Sequence, residues 1–234
     1  MIEPEPAGLR ERGKARRRQA LLEAARALIR ENESTGFAMR ALAQRAGVGE
    51  VTPYNLFGSK RGVLEAILSE ELDRYEEGFA RMAAPDAFDA LYEFVGVSMD
   101  MYRRDPQLYR VVLRDLMLTG DPSLRSFFST PQRRVFVNLI EKAVAGGFLS
   151  DIVAPHLIAR TLGRAVTSCL GDWLWEDISL DSLEANVGLT FTMVLRGIVT
   201  PAALPRCDVL LAQYQDAVNR HSRRATREAR AAEA

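Results

Sequence analysis

Apolar residues in this chain return every three or four positions and show no two-residue alternation, which is the pattern of amphipathic helices throughout. Leu21, Ala25, Leu28 and Ile29 share one face of a predicted helix running from Arg16 onward, and Asn32, Ser34 and Gly36 supply its stop. Two short helices are predicted next, from about Met39 to Ala46 and from about Glu50 to Phe57, with Gly47 and Gly58 as breaks. Ser59 is placed to cap a longer helix, Lys60 to about Ala83, whose stripe is Val63, Leu64, Ile67, Leu68, Leu72, Tyr75, Phe79 and Met82. Beyond Pro85 the pattern predicts helices over Asp86 to Arg104, Pro106 to Leu118, Ser123 to Phe128 and Pro131 to about Ala145. Proline opens several of them at little cost, because the first N–H groups of a helix have no intrahelical acceptor. Gly146 and Gly147 turn the chain into two long apolar helices, about Ala154 to Trp175 and about Leu180 to Val199. Pro201 and Pro205 stop the second, and a last helix, about Cys207 to Arg223, leads into an Arg/Ala-rich tail expected to fray.

The stretch Phe37 to Lys60, FAMRALAQRAGVGEVTPYNLFGSK, has the layout of a helix-turn-helix. Ala43 is small enough to let the first helix approach the second, and Gly47 can take the left-handed conformation that ends the first. Leu42, Ala46, Val48 and Leu56 are spaced to bury between the two helices. The second helix then turns a polar face outward, and a DNA major groove is wide enough to admit it. Charge changes the picture in the same direction. The chain is neutral overall, yet residues 10–61 carry a surplus of seven positive charges and the remainder an equal deficit. A basic module joined to an acidic body suggests a polyanion partner at one end. The alternative is an uneven but solvated surface.

Within this stretch the sequence resembles the TetR (tetracycline repressor) family of transcriptional regulators. The matching residues are Arg40, Ala43, Arg45-Ala46-Gly47-Val48, Thr52, Tyr54, Phe57 and Ser59-Lys60 with Leu64 after them, within roughly residues 16 to 68. The resemblance implies an all-α fold: an N-terminal three-helix DNA-binding domain with a helix-turn-helix, then a larger helical ligand-binding and dimerisation domain. The divisions expected are residues 1–60, residues 61–223, and a disordered tail over 224–234. It implies a ligand-responsive regulator, most commonly a repressor, that binds a palindromic double-stranded DNA operator as a homodimer and is released by a small effector. Departures from the family's usual pattern are Gly49 in place of Ser, Val51 in place of a small residue, Pro53 in place of Leu, and Phe37 in place of a capping Thr. Pro53 must lie in the first turn of its helix. Glu50 suits a helix dipole but not a nearby phosphate.

The DNA-binding residues expected on this basis are Arg16, Arg17, Arg18, Arg40, Gly49, Glu50, Thr52, Tyr54, Asn55 and Lys60. Lys14, Arg16, Arg17 and Arg18 read as a basic arm before the first helix, suited to phosphates or a minor groove. Arg40 is expected on the DNA backbone, with Thr52 and Tyr54 as phosphate contacts by resemblance. Lys60 is expected on a phosphate at a helix start, Asn55 on an adenine edge, and Glu50 on cytosine N4 or solvent. For the dimer, the resemblance points to the helices Ala154–Trp175 and Leu180–Val199, with Leu157, Leu162, Val166, Leu183, Val187, Phe191 and Val194 as contacts and Gly163, Gly188 and Gly197 permitting close approach. Some of these must instead pack inside the monomer. Phe94, Tyr102, Tyr109, Met117, Phe128, Phe136 and Trp173 are candidates for an apolar effector pocket, suited to a hydrophobic or aromatic molecule. At helical spacing any one of them is as easily core.

Other classes find little in the sequence. His156 and His221 are the only histidines, neither falls in a metalloprotease pattern, and no P-loop, Rossmann or nucleophile-elbow glycine motif occurs. No catalytic residue, metal or cofactor is therefore expected. Cys169 and Cys207 have no metal or CxxC spacing, so a reducing cytoplasm is the expected location. No apolar run reaches a membrane-spanning length, and the N-terminus has no secretory core. The competing reading is a helical interaction module that kept the fold and lost specific DNA binding, for which Glu50 and Pro53 are the support.

Overall fold

The computed structural model describes residues 8–32, 36–118, 131–176 and 178–232. Among them lie ten helices: α1 (Leu9–Glu31), α2 (Met39–Arg45), α3 (Thr52–Phe57), α4 (Lys60–Ala80), α5 (Ala87–Arg104), α6 (Pro106–Leu118), α7 (Pro131–Ala145), α8 (Pro155–Trp175), α9 (Leu180–Arg196) and α10 (Leu204–Ala232). The predicted helix Ser123 to Phe128 lies outside the described residues. Two expectations at the ends are corrected. Lys14 and Arg16–Arg18 do not precede the first helix but sit inside α1, because the run around them is made of Arg, Ala, Gln, Leu and Glu, all good helix formers. The tail expected to fray after Arg223 continues as helix to Ala232, for the same compositional reason.

The helix ends follow local chemistry. The Asp86 carboxylate accepts from the Phe88 and Asp89 N–H groups at the start of α5 (2.9 and 3.0 Å). Ser179 caps α9 by accepting from Ser182 N–H (3.1 Å). α2, α3 and α7 end on Gly47, Gly58 and Gly147, each in the left-handed region.

The chain divides into two compact units. One comprises Met1–Arg74 with Asp105–Gly120, the other Tyr75–Arg104 with Asp121–Ala234. The division expected at residue 60 differs from this in two ways: most of α4 belongs with the first three helices, and α6 joins them across an intervening α5. The first unit's core includes Leu21, Leu22, Ile29, Leu42, Val63, Leu64, Ile67, Leu108, Val112 and Leu113.

In the second unit α10 lies along α9, α9 on α8, and α7 against α5 and α8. A series of ring contacts runs through it: Tyr75–Phe79, Phe79–Phe94, Phe94–Phe136, Phe136–Phe191 and Phe191–Tyr92. Arg206 forks onto Asp86, reaches Asp89, and lies over the Phe88 ring at 4.8 Å, fixing α10 to the start of α5. Its hydrogen bonds hold the Asp86 carboxyl below the ordinary carboxylate value. An isolated bridge, Leu149 to Val199, ties the loop after α7 to the loop after α9.

Candidate nucleic-acid interface

α2 and α3 form the helix-turn-helix. Past Arg45 the chain turns at Gly47 (φ 65°), and the Val48 N–H reaches back to the Ala43 carbonyl (3.0 Å), satisfying an end carbonyl that α2 would otherwise leave open. Leu42 and Ala43 are buried, and Ala46, Val48 and Leu56 are half-buried between the helices. α3 begins at Thr52, two residues later than its pattern predicts. The cause is Pro53, which has no N–H and is tolerated only in a first turn, so Glu50 and Val51 lie in the turn before the helix.

The outer face of this motif carries Gly49, Glu50, Val51, Tyr54 and Asn55, all exposed, while Pro53 is buried and Thr52 half-buried. Tyr54 is 53 % exposed, so its ring is not core. Val51 is 66 % exposed and is not among the DNA-binding residues expected from the sequence. The signal was there: Val51 is apolar but out of step with Leu42, Val48 and Leu56, which pack inward.

Around this face several ion pairs set the backbone. Arg45 forks onto Glu31, joining the ends of α1 and α2, and these hydrogen bonds hold the Glu31 carboxyl below its ordinary value. The Arg18 guanidinium lies over the Phe57 ring (4.7 Å), linking α1 to the end of α3. Arg16 and Arg17 are exposed on α1. Arg40, expected on the DNA backbone, is engaged within the protein: its Nε lies 3.0 Å from Glu50 Oε1. Lys60 departs further from expectation. Its ammonium lies 3.8 Å from Asp115 on α6 and over the Phe37 ring, rather than standing free at the start of α4.

α4 starts immediately after the motif. Gly58 (φ 76°) turns the chain and Ser59 caps α4 by accepting from Gly62 N–H (3.1 Å). This turn brings the Phe57 carbonyl against Gly62, where a β-carbon would overlap the oxygen. The motif then rests on a buried polar joint. Arg26 of α1 meets Glu70 (2.8 Å) and Glu71 (3.2 Å) of α4, and the Tyr109 hydroxyl of α6 donates to Glu71 (3.2 Å). Arg30 forks onto Asp105, and the Gln107 amide donates to the Ile29 carbonyl (3.1 Å). Nothing in the periodicity distinguished Arg26 from a surface arginine.

Residues 21–67 match the family model described as bacterial regulatory proteins, tetR family. Residues 21–67 thus match the DNA-binding segment of TetR-family regulators, which supports a DNA-binding regulator with a helix-turn-helix near the start of an all-α chain. Solved structures of TetR-family regulators share the fold beyond the matched segment. SmeT, the repressor of the Stenotrophomonas maltophilia multidrug efflux pump SmeDEF, is 21 % identical over 80 % of this chain and 92 % of its own, with a TM-score of 0.59. A TetR-family transcriptional regulator from Marinobacter aquaeolei VT8 is 16 % identical over 84 % of this chain and 98 % of its own (TM-score 0.61). A gamma-butyrolactone receptor, an ArpA-like protein, is 20 % identical over 87 % and 98 % (TM-score 0.57). Comparison with curated protein sequences finds no match.

The residues expected at a dimer face differ in burial. Leu162, Leu183, Val187 and Phe191 are buried within one copy, where α9 packs on α8 and α10. Leu157, Val166 and Val194 are half-buried. Gly188 does permit a close approach, but to Tyr214 of the same chain. The outward side of α8 carries Gly163, Thr167, Gly171 and Trp175, four residues apart, with open space at both glycines. Trp175 (52 %) and Met193 (61 %) are its exposed apolar neighbours in sequence on α8 and α9.

The pocket candidates also separate. Phe94 and Phe136 stack in the second unit, and Tyr102 lies against Trp173 (5.7 Å) there. Tyr109 and Met117 belong to α6 in the first unit. Phe128 lies outside the described residues. Burial pushes the Tyr75 phenol upward in pKa, so this hydroxyl stays protonated and bonds Ser98. Among the described residues no helix is long and apolar enough to cross a membrane, and no group of three or more acidic, His or Cys residues is placed to hold a metal ion.

Proposed function

We propose that this chain is a cytoplasmic, ligand-responsive repressor that binds a palindromic operator as a homodimer and releases it on binding a small hydrophobic or aromatic effector. The observation that carries the DNA reading is the outer face of the helix-turn-helix. Val51, Tyr54 and Asn55 stand in solvent while Pro53 packs inward. A valine can contact a thymine methyl, an asparagine pairs with an adenine edge, and a tyrosine hydroxyl bonds a phosphate. Gly49 allows close backbone approach, and Thr52 and Glu50 flank the same turn. Arg16, Arg17 and Arg18 supply phosphate contacts from α1, and Arg40 and Lys60 do so once released from Glu50 and Asp115. The first unit is thus the DNA-binding domain and the second the effector-binding and dimerisation domain.

Two copies joined through the outward side of α8 and α9, around Gly163, Thr167, Gly171, Trp175 and Met193, would set their recognition helices in successive major grooves, about 34–36 Å apart or a multiple of it. Leu157, Val166 and Val194 flank that face. The aromatic series through Phe94 and Phe136, with the Tyr102–Trp173 pair, supports an apolar effector. So does the presence of a gamma-butyrolactone receptor among the fold neighbours. Effector binding acts by favouring a state whose recognition helices no longer fit the operator.

The test is selection of bound sequences from a random duplex pool, repeated with Tyr54→Ala plus Asn55→Ala. A palindromic site that the variant fails to enrich supports the reading and supplies the operator for an effector screen. No enrichment by the wild type at low salt moves the weight to a helical interaction module.

A further inference from the structure

We infer that Glu50 is a specificity-determining residue that works by occupying Arg40, so that the pair opens only on DNA able to satisfy both side chains. The inference rests on the DNA-binding reading and deepens it.

Arg40 lies at the start of α2 and Glu50 in the turn before α3, ten residues on, and their charged groups meet at 3.0 Å. Both side chains are exposed, at 74 % and 62 %, so the contact is made on the motif's outer face and not in its core. No packing requirement brings a carboxylate to this place. Leu42, Ala43 and Pro53 make the interior of the motif without it. A carboxylate here has two effects on an approaching duplex. It holds the arginine that would otherwise take a phosphate, and its own charge repels the phosphate backbone.

The two effects fall equally on all sequences. What differs is the return. Where the bound step offers a cytosine N4 amino group, Glu50 exchanges one donor for another and Arg40 is released to the backbone. At any other step Glu50 leaves Arg40 and gains nothing, or keeps Arg40 and the phosphate contact is not made. Discrimination then comes from penalising the wrong partner, not only from favouring the right one. An exposed pair of this kind is worth little by itself, which is what a latch that DNA can open requires.

The experiment measures affinity of the full-length protein for a fluorescein-labelled duplex of random sequence across a salt series, for wild type, Glu50→Gln, Arg40→Gln and the double variant. Glu50→Gln should bind about 2- to 5-fold tighter at low salt. The slope of log affinity against log salt should steepen by about 0.9, one more phosphate neutralised. Arg40→Gln should weaken binding, and adding Glu50→Gln to it should restore less than Glu50→Gln gains with Arg40 present, because only the repulsion of the phosphate backbone is left to relieve. On a duplex chosen by selection, Glu50→Gln should lose preference at one C·G position. Equal tightening in the presence and absence of Arg40 overturns the inference, since Glu50 would then be a bystander charge. So does an unchanged affinity and slope for Glu50→Gln when the wild type binds. A wild type without salt-dependent affinity removes the inference together with the DNA-binding reading.

Discussion

Replacing Gly62 with alanine should damage the DNA-binding unit, although the same change in most helices is favourable. Alanine is preferred over glycine in a helix by about 1 kcal/mol, and Gly62 sits in the first turn of α4. Here the added β-carbon would overlap the Phe57 carbonyl oxygen and lie 3.1 Å from its carbonyl carbon. The obstacle is backbone, which cannot swing aside as a side chain can. The end of α3 must therefore retreat by about 1 Å from α4, at the overpacking cost of about 1–3 kcal/mol. Net of the helix preference, the loss is up to about 2 kcal/mol, with a fall in Tm of about 2–4 °C for each kcal/mol in a chain of this size. Phe57 closes the recognition helix, so DNA affinity should fall further than stability: one base contact moved out of reach costs about 1–3 kcal/mol. Thermal melting by circular dichroism, paired with a binding titration on a duplex, reads both. Gly96→Ala is the control. It lies within α5, a β-carbon there meets nothing within 4 Å among the described residues, and it should stabilise by up to about 1 kcal/mol. A Gly62→Ala protein that melts no lower than wild type and binds DNA equally well would refute the argument.

Three further outcomes follow from the same geometry. Arg26→Ala removes the guanidinium against which the Glu71 carboxylate is buried, and should cost about 3–5 kcal/mol in denaturant unfolding. Asp86 has a folded pKa below its unfolded value, so the stability it adds is fully present above about pH 4 and is lost as the pH falls through the folded value. Asp86→Asn should therefore be less stable than wild type at neutral pH, with the gap in Tm closing on acidification; a gap that widens in acid contradicts the assignment. Gly163→Arg adds a long charged side chain where α8 faces open space, so it should leave each copy folded yet convert dimer to monomer in sedimentation. A variant that sediments as the wild type does would remove α8 from the interface.

Much of the fold was legible because glycine and proline punctuate it. Gly47, Gly58, Pro106, Pro131 and Pro155 mark helix ends within a residue or two of where the structure puts them. The helix-turn-helix was legible for a second reason: its turn, its small residue and its inward apolar positions lie within one short stretch. Charge misled at the N-terminus. A cluster of arginines reads as a basic arm before the first helix, while Arg16 to Arg18 are also good helix formers and lie within α1. The resemblance that suggested Leu162, Leu183, Val187 and Phe191 for a dimer face does not say which apolar residues the monomer itself covers. Nor does the sequence pattern show the neighbour of Lys60, since Asp115 lies far along the chain. Val51 stands out in the sequence only as a departure from the family pattern, because an exposed apolar residue is visible only against a known packing register.

The placement of α6 has a consequence for how the protein is made. The DNA-binding unit is interrupted in sequence by Tyr75–Arg104 and is complete only when Asp105–Gly120 has been added. As the chain leaves the ribosome, α1 to α4 emerge first, with Leu21, Ile29 and Ile67 lacking the apolar face of Leu108, Val112 and Leu113. At about 5–20 residues per second, the missing helix arrives only seconds later. A nascent chain stalled before residue 105, or a fragment cut at Arg74, would carry every residue of the DNA-reading face and still lack Tyr109, Asp105 and Gln107, the partners that seat it.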